Sequence, residues 1–87
     1  MNKRALADQT ARLPDMFADR LPDGDVDDLR SMASGGEWDL LLDELVATLR
    51  VTRAPVSRHE LGELRAVLTG WGLPSEQLDD LTVRENG

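Results

Sequence analysis

Asp23, Asp25 and Asp27 alternate in the run Asp23-Gly24-Asp25-Val26-Asp27-Asp28, the spacing at which a calcium loop offers its first three oxygen ligands. Such a loop also needs glycine at its sixth position and a bidentate glutamate at its twelfth. Here those positions hold Asp28 and Ser34, so the run reads better as an acidic helix start than as a cation site. His59-Glu60-Leu61-Gly62-Glu63 opens like a zinc-protease helix, but Glu63 stands where the second histidine belongs, and the chain has no other histidine. A serine nucleophile would need His59 beside it, whereas Ser31, Ser34, Ser57 and Ser75 all read as caps or surface residues. The absence of cysteine excludes disulfides, thiolate metal sites and thiol nucleophiles. We find no catalytic set, no metal site and no cofactor motif, and expect a protein that is not an enzyme.

What remains is charge. The net charge of −7 is unevenly spread. Asp15 to Glu44 holds ten acidic residues against Arg20 and Arg30, a balance of −8, while Leu45 to Ser75 holds Glu60 and Glu63 against Arg50, Arg53, Arg58 and Arg65, a balance of +2. The first region repels a phosphate backbone, and on charge alone it reads either as a surface that attracts a basic partner or as a solvated acidic face that aids solubility. Nucleic acid is therefore not an expected ligand. The longest apolar run, Leu40-Leu41-Leu42, falls far short of the roughly 20 residues of a membrane span. No apolar run follows the early Lys3 and Arg4, so no signal peptide is expected and the location reads as cytoplasmic.

The elements that must position these charges are helices. In Gly36–Thr52, Trp38, Leu41, Leu42, Leu45 and Leu49 recur at steps of three and four, which puts them on one side of a helix. This is the expected central helix, with Glu37 and Asp39 in its first turn. Residues 1–13 predict a helical turn or two, loosely attached through Leu6 and Leu13. A short helix over Pro14–Leu21 has Phe17 and Leu21 on one face. Pro22-Asp23-Gly24 reads as a turn, with Asp25 as the N-cap of a helix carrying Val26, Leu29 and Ala33. Gly35-Gly36 ends that helix. Ala54-Pro55 closes the central one, and Ser57 to Glu60 has the form of a capping box. The helix that follows carries Leu61, Leu64, Leu68 and Trp71, with Gly62, Ala66 and Gly70 beside that face at the spacing of a close helix contact, and Gly72 as its terminator. A last short helix is expected from Ser75, with Leu78 and Leu81 inward, then a frayed tail over 83–87. No window alternates as a strand would. The expected fold class is all-α: a single domain over 1–87, a small bundle of four to five short helices, with Trp38, Leu41, Leu45, Leu61, Leu64 and Leu68 in one core.

Small acidic helical domains occur in several families. An acyl carrier protein needs its modified serine after aspartate at a helix start; the nearest match, Arg30-Ser31-Met32, lies inside a helix and lacks the aspartate. Colicin-nuclease immunity proteins use paired tyrosines, and this chain has none. The stretch from Val26 to Pro74 does resemble the small acidic MafI-type immunity proteins of bacterial polymorphic-toxin and contact-dependent inhibition systems. The likeness rests on a short helix with Leu29, on Gly36-Glu37-Trp38 leading into Leu40 to Leu45, on Pro55-Val56-Ser57 and Glu60, and on Leu64, Leu68 and Gly72-Leu73. It departs at Val51-Thr52-Arg53-Ala54 and in the extra N-terminal segment. The resemblance implies a protein that binds and neutralises a cognate toxin domain, often a nuclease, in the cell that makes it. A helical adaptor or regulatory domain is the alternative from another class. For an immunity protein, the charge map makes Asp23, Asp25, Asp27, Asp28, Glu37, Asp39, Asp43 and Glu44 the expected toxin-binding residues, converging on one side through Gly35-Gly36. The oligomeric state is left open.

Overall fold

A computed structural model describes residues 2–84, and helices dominate it. In chain order they are α1 (Lys3–Ala11), the single turn α2 (Leu13–Met16), α3 (Asp23–Ser34), α4 (Trp38–Thr52) and α5 (Arg58–Gly70), with 3₁₀ turns at Ala18–Arg20 and Glu76–Asp80. The all-α expectation holds with one addition. Strands β1 (Pro55–Ser57) and β2 (Thr82–Arg84) pair in parallel, Val56 opposite Val83. Three residues are too few to show an alternating pattern, and Pro55 is tolerated because it opens its strand. Val83 and Arg84 are thus paired rather than frayed, and the remainder of the expected tail, 85–87, lies outside the described residues.

Helix α4 is the centre of the core. Leu41, Leu42, Leu45, Val46 and Leu49 are fully buried, as the spacing predicts. Leu64, Val67 and Leu68 meet them from α5, and Val26 and Leu29 join the same core from α3. Trp38 and Leu61 are only partly buried at its margin, so two of the six expected core residues sit at the edge. Three of the helices end in the same way. In each, a residue of positive φ turns the chain, and the next N–H reaches back to a carbonyl of the last turn. Gly36 (φ 69°) ends α3, Arg53 (φ 54°) ends α4 and Gly72 (φ 73°) ends α5. The back-bonds run from Glu37 N to Met32 O, Ala54 N to Leu49 O and Leu73 N to Leu68 O.

The start of α3 differs from expectation. Pro22 occupies the cap position and its carbonyl accepts the N–H groups of Asp25 and Val26, so the helix begins at Asp23 and Asp25 lies inside its first turn. Proline costs nothing there because it offers no N–H to leave unpaired. Asp23 and Asp25 still face the positive end of the helix dipole. With Asp23 to Asp28 helical, the run cannot form a calcium loop.

Residues 1–13 are docked rather than loose. Leu6 and Leu13 are buried, and α1 lies on α5 at three levels. Gln9 donates to Glu63 at 2.7 Å. Trp71 donates its indole N–H to Thr10 Oγ1 at 3.0 Å, and that buried hydroxyl donates to Leu6 O. A Cβ on Gly70 would stand 2.8 Å from Leu6 Cδ1, so here a helix glycine does admit a neighbour. Gly62 faces open space and has no such role.

Arg20 fastens the other end of α5. Its guanidinium donates two hydrogen bonds to the Glu60 carboxylate, and further ones to Pro55 O (2.9 Å), Met16 O (3.1 Å) and Asp19 (3.1 Å). It also lies 4.9 Å over the ring of the fully buried Phe17. Glu60 completes the capping box, accepting from Ser57 N while Ser57 Oγ accepts from Glu60 N. Both side chains of the pair are 14% exposed. Hydrogen bonds from Arg20, against the opposing effect of burial and aided by Ser57 N–H, lower the Glu60 pKa to about 2. Glu60 is therefore a structural acid, and Glu63, whose side chain is 30% exposed, is tied to α1 through Gln9.

Candidate functional site

The turn at Gly72 builds a concavity. After it, Leu73-Pro74 runs alongside α4, and the 3₁₀ turn Glu76–Asp80 packs back on α4 with Leu78 buried. Between these walls lies a cleft of about 470 Å³. Asp39, Leu40, Leu42 and Asp43 line it from α4, and Leu68, Leu73, Pro74, Glu76 and Gln77 from the other side. A second hollow of about 270 Å³, lined by Gly36, Trp38, Asp39, Trp71 and Leu73, adjoins it. Asp39 and Leu73 belong to both, so the two form one two-lobed groove. At its far end Trp38 and Trp71 stack, ring centroids 6.0 Å apart and planes 13° from parallel. Both rings are half-buried, and Thr10 holds Trp71 in place.

The electrostatics of this groove are one-sided. Its walls come from two stretches, 31–49 and 66–83, that contain no lysine, arginine or histidine. They contain Glu37, Asp39, Asp43, Glu44, Glu76, Asp79 and Asp80. Among the described residues Asp39, Asp43 and Glu76 make no ion pair. Leu40, on the rim, is 43% exposed, which is unusual for a large apolar side chain in this molecule.

The structure distributes the eight expected binding residues over several features. Asp39 and Asp43, a turn apart, border the groove. Asp25 and Asp28 border a shallow crevice between α3 and α4, and Glu44 faces them across it. Asp27 lies 3.8 Å from Arg30, which also binds Asp15. Asp23 is exposed at the start of α3, and Glu37 folds its carboxylate over Gly35. The reason for the division is helical geometry: Glu44 follows Asp43 by one residue and so points about 100° further round α4. Three groove residues escaped the reading of the sequence, namely Glu76, Trp71 and Leu40. The cation-free run after Arg65 was the available signal for Glu76.

No family model, curated protein or solved structure matches the chain. What the site can do therefore rests on its chemistry. His59 is 81% exposed and 3.9 Å from Glu63, and the Ser57 hydroxyl is spent on capping α5. Among the described residues no three histidine or carboxylate side chains gather as metal ligands would, and no helix is long and apolar enough to cross a membrane. The groove offers apolar walls, aromatic faces and carboxylates without counter-charges, an arrangement suited to binding positively charged protein side chains.

Proposed function

We propose that the protein is an immunity-type binding protein, which holds a basic toxin domain, a nuclease by the logic of charge, and neutralises it in the cytoplasm without catalysis of its own. The observation that carries the proposal is the groove: three carboxylates unmatched by any cation of the described chain, set around apolar walls that end in two half-exposed tryptophans. A nuclease presents basic residues to its substrate, so an acidic inhibitor competes for the same surface and gains association rate from steering. Aromatic residues dominate binding energy in many interfaces, and about 800 Å² per partner is a standard contact. That area is available here on a molecule of 5229 Å² total surface. The likeness of Val26 to Pro74 to MafI-type immunity proteins supports the same reading.

The test is co-expression with the C-terminal domain of a large secreted protein encoded beside this one. The proposal expects a stable complex on gel filtration and loss of that domain's activity in the complex, with His59→Ala protecting as well as the parent. Separate elution with toxin activity intact would count against it, and protection lost in His59→Ala with binding unchanged would reveal chemistry of its own.

A further inference from the structure

We propose that the groove is an arginine-binding site: a guanidinium from an extended basic segment of the protein partner lies against the Trp38–Trp71 pair and bonds to Asp39, and the adjoining apolar side chain of that segment fills the hollow beneath Asp43 and Glu76. This deepens the reading of the molecule as a binder of a basic protein and rests on it.

The molecule contains its own worked example. Around Phe17, an aromatic face and two carboxylates, Asp19 and Glu60, hold Arg20. Around Trp38 and Trp71 the same ingredients recur, two indoles with Asp39 on the same hollow and Asp43 and Glu76 on the adjoining lobe, but among the described residues no arginine lines either lobe. Both indoles are part-exposed and line the smaller lobe. Tryptophan is the strongest of the aromatic partners for a cation.

Asp39 is set to act as the acceptor. Its Oδ1 takes the N–H of Leu40 at 3.0 Å, which orients the carboxylate at the start of α4, and Oδ2 is unengaged among the described residues. It stands at the junction of the two lobes, within reach of a group in either. A planar guanidinium stacks on an indole and bonds to a carboxylate in one placement, whereas an ammonium is a point charge with a tightly held hydration shell, so arginine is favoured over lysine. The larger lobe, walled by Leu42, Leu68, Leu73 and Pro74, asks for an apolar neighbour. Its volume of about 470 Å³ is within the range of ligand pockets.

The chain itself supplies the reporter. It has two tryptophans, both in the groove, and no tyrosine, so its intrinsic emission reads this site. The probe is a blocked ten-residue peptide of alternating arginine and leucine, compared with its lysine–leucine counterpart at physiological salt, with calorimetry as a second readout. The arginine peptide should shift the emission saturably and bind roughly fivefold or more tightly than the lysine peptide. Asp39→Asn, which keeps the side-chain shape, should weaken it about tenfold, and Asp28→Asn with Glu44→Gln by less than about twofold. Equal affinity for the two peptides, or equal losses in the two sets of variants, would overturn the assignment in favour of unspecific attraction. The two readings separate cleanly. Peptide binding as described without a toxin complex removes the immunity reading and leaves the arginine site. A toxin complex whose affinity ignores Asp39→Asn does the reverse.

Discussion

Replacing Glu60 by glutamine should destabilise the fold by about 3 kcal/mol at pH 7, with most of that loss disappearing in acid. The substitution removes one charge and turns the oxygen that accepts from Arg20 Nη2 into an N–H donor, while the remaining oxygen can still accept from Ser57 N and close the capping box. The magnitude follows from the carboxylate's pKa, which falls from 4.5 to about 2 chiefly through the hydrogen bonds from Arg20. At roughly 1.36 kcal/mol per pKa unit this is about 3 kcal/mol, and breaking a buried ion pair by removing one partner costs a similar ~3–5 kcal/mol. The pair is part-buried, each side chain 14% exposed, so solvent screening trims this figure. A depressed carboxylate stabilises fully above its unfolded pKa and loses that contribution as pH falls through its folded one. The charge-dependent part of the difference between parent and variant should therefore be complete above about pH 5, about 1.4 kcal/mol at pH 3, and gone well below pH 2. Urea unfolding followed by tryptophan emission at pH 7 and pH 3 measures it. A difference that is the same at both pH values would assign the loss to packing. One below about 1 kcal/mol at pH 7 would mean that water screens the pair as it does on an open surface.

Other expectations can be read from the same unfolding curves. Leu45→Ala empties part of a fully buried site on α4 and should cost about 2–5 kcal/mol. Gly62→Ala faces open space and should gain up to ~1 kcal/mol from helix propensity, while Gly70→Ala should gain less or lose, because its Cβ meets Leu6; equal gains would show that α1 does not press on α5 there. Arg53→Gly relieves a left-handed conformation at the end of α4 and should stabilise by roughly 0.5–1 kcal/mol after the entropy glycine adds to the unfolded chain; a loss would mean that the arginine side chain has a role in the fold.

The parts of the fold that were legible in the sequence are those whose cause is local. The apolar spacing of α4, the Ser57–Glu60 capping box and the terminating Gly72 all act within a few residues, and the structure has each of them. The parts that were not legible depend on partners far along the chain. Docking of α1 needs Gln9 to meet Glu63 and Thr10 to meet Trp71, 54 and 61 residues away. Pairing of β1 with β2 joins two segments too short to show a period. The capping box gave Glu60 its local role, but nothing near it in the chain points to its ion-pair partner Arg20, 40 residues earlier. The candidate site was half legible. The acidic excess before Glu44 gave Asp39 and Asp43, but the groove exists only because Gly72 turns the chain to carry Leu73, Pro74 and Glu76 past them.

The central claim is that a basic protein partner binds in the groove between α4 and the segment after Gly72. The measurement that bears on it most directly is the dissociation constant of the co-purified toxin domain for two variants of equal charge change: Asp39→Lys with Asp43→Lys in the groove, and Asp28→Lys with Glu44→Lys across the α3–α4 crevice. A melting curve for each excludes unfolding, and two salt concentrations separate steering from contact. The groove pair should weaken binding roughly 30-fold or more, the equivalent of about 2 kcal/mol, mainly through faster dissociation, and the crevice pair only by a slower, salt-sensitive association. Equal losses in the two variants, or a larger loss from Asp28→Lys with Glu44→Lys, would contradict the claim.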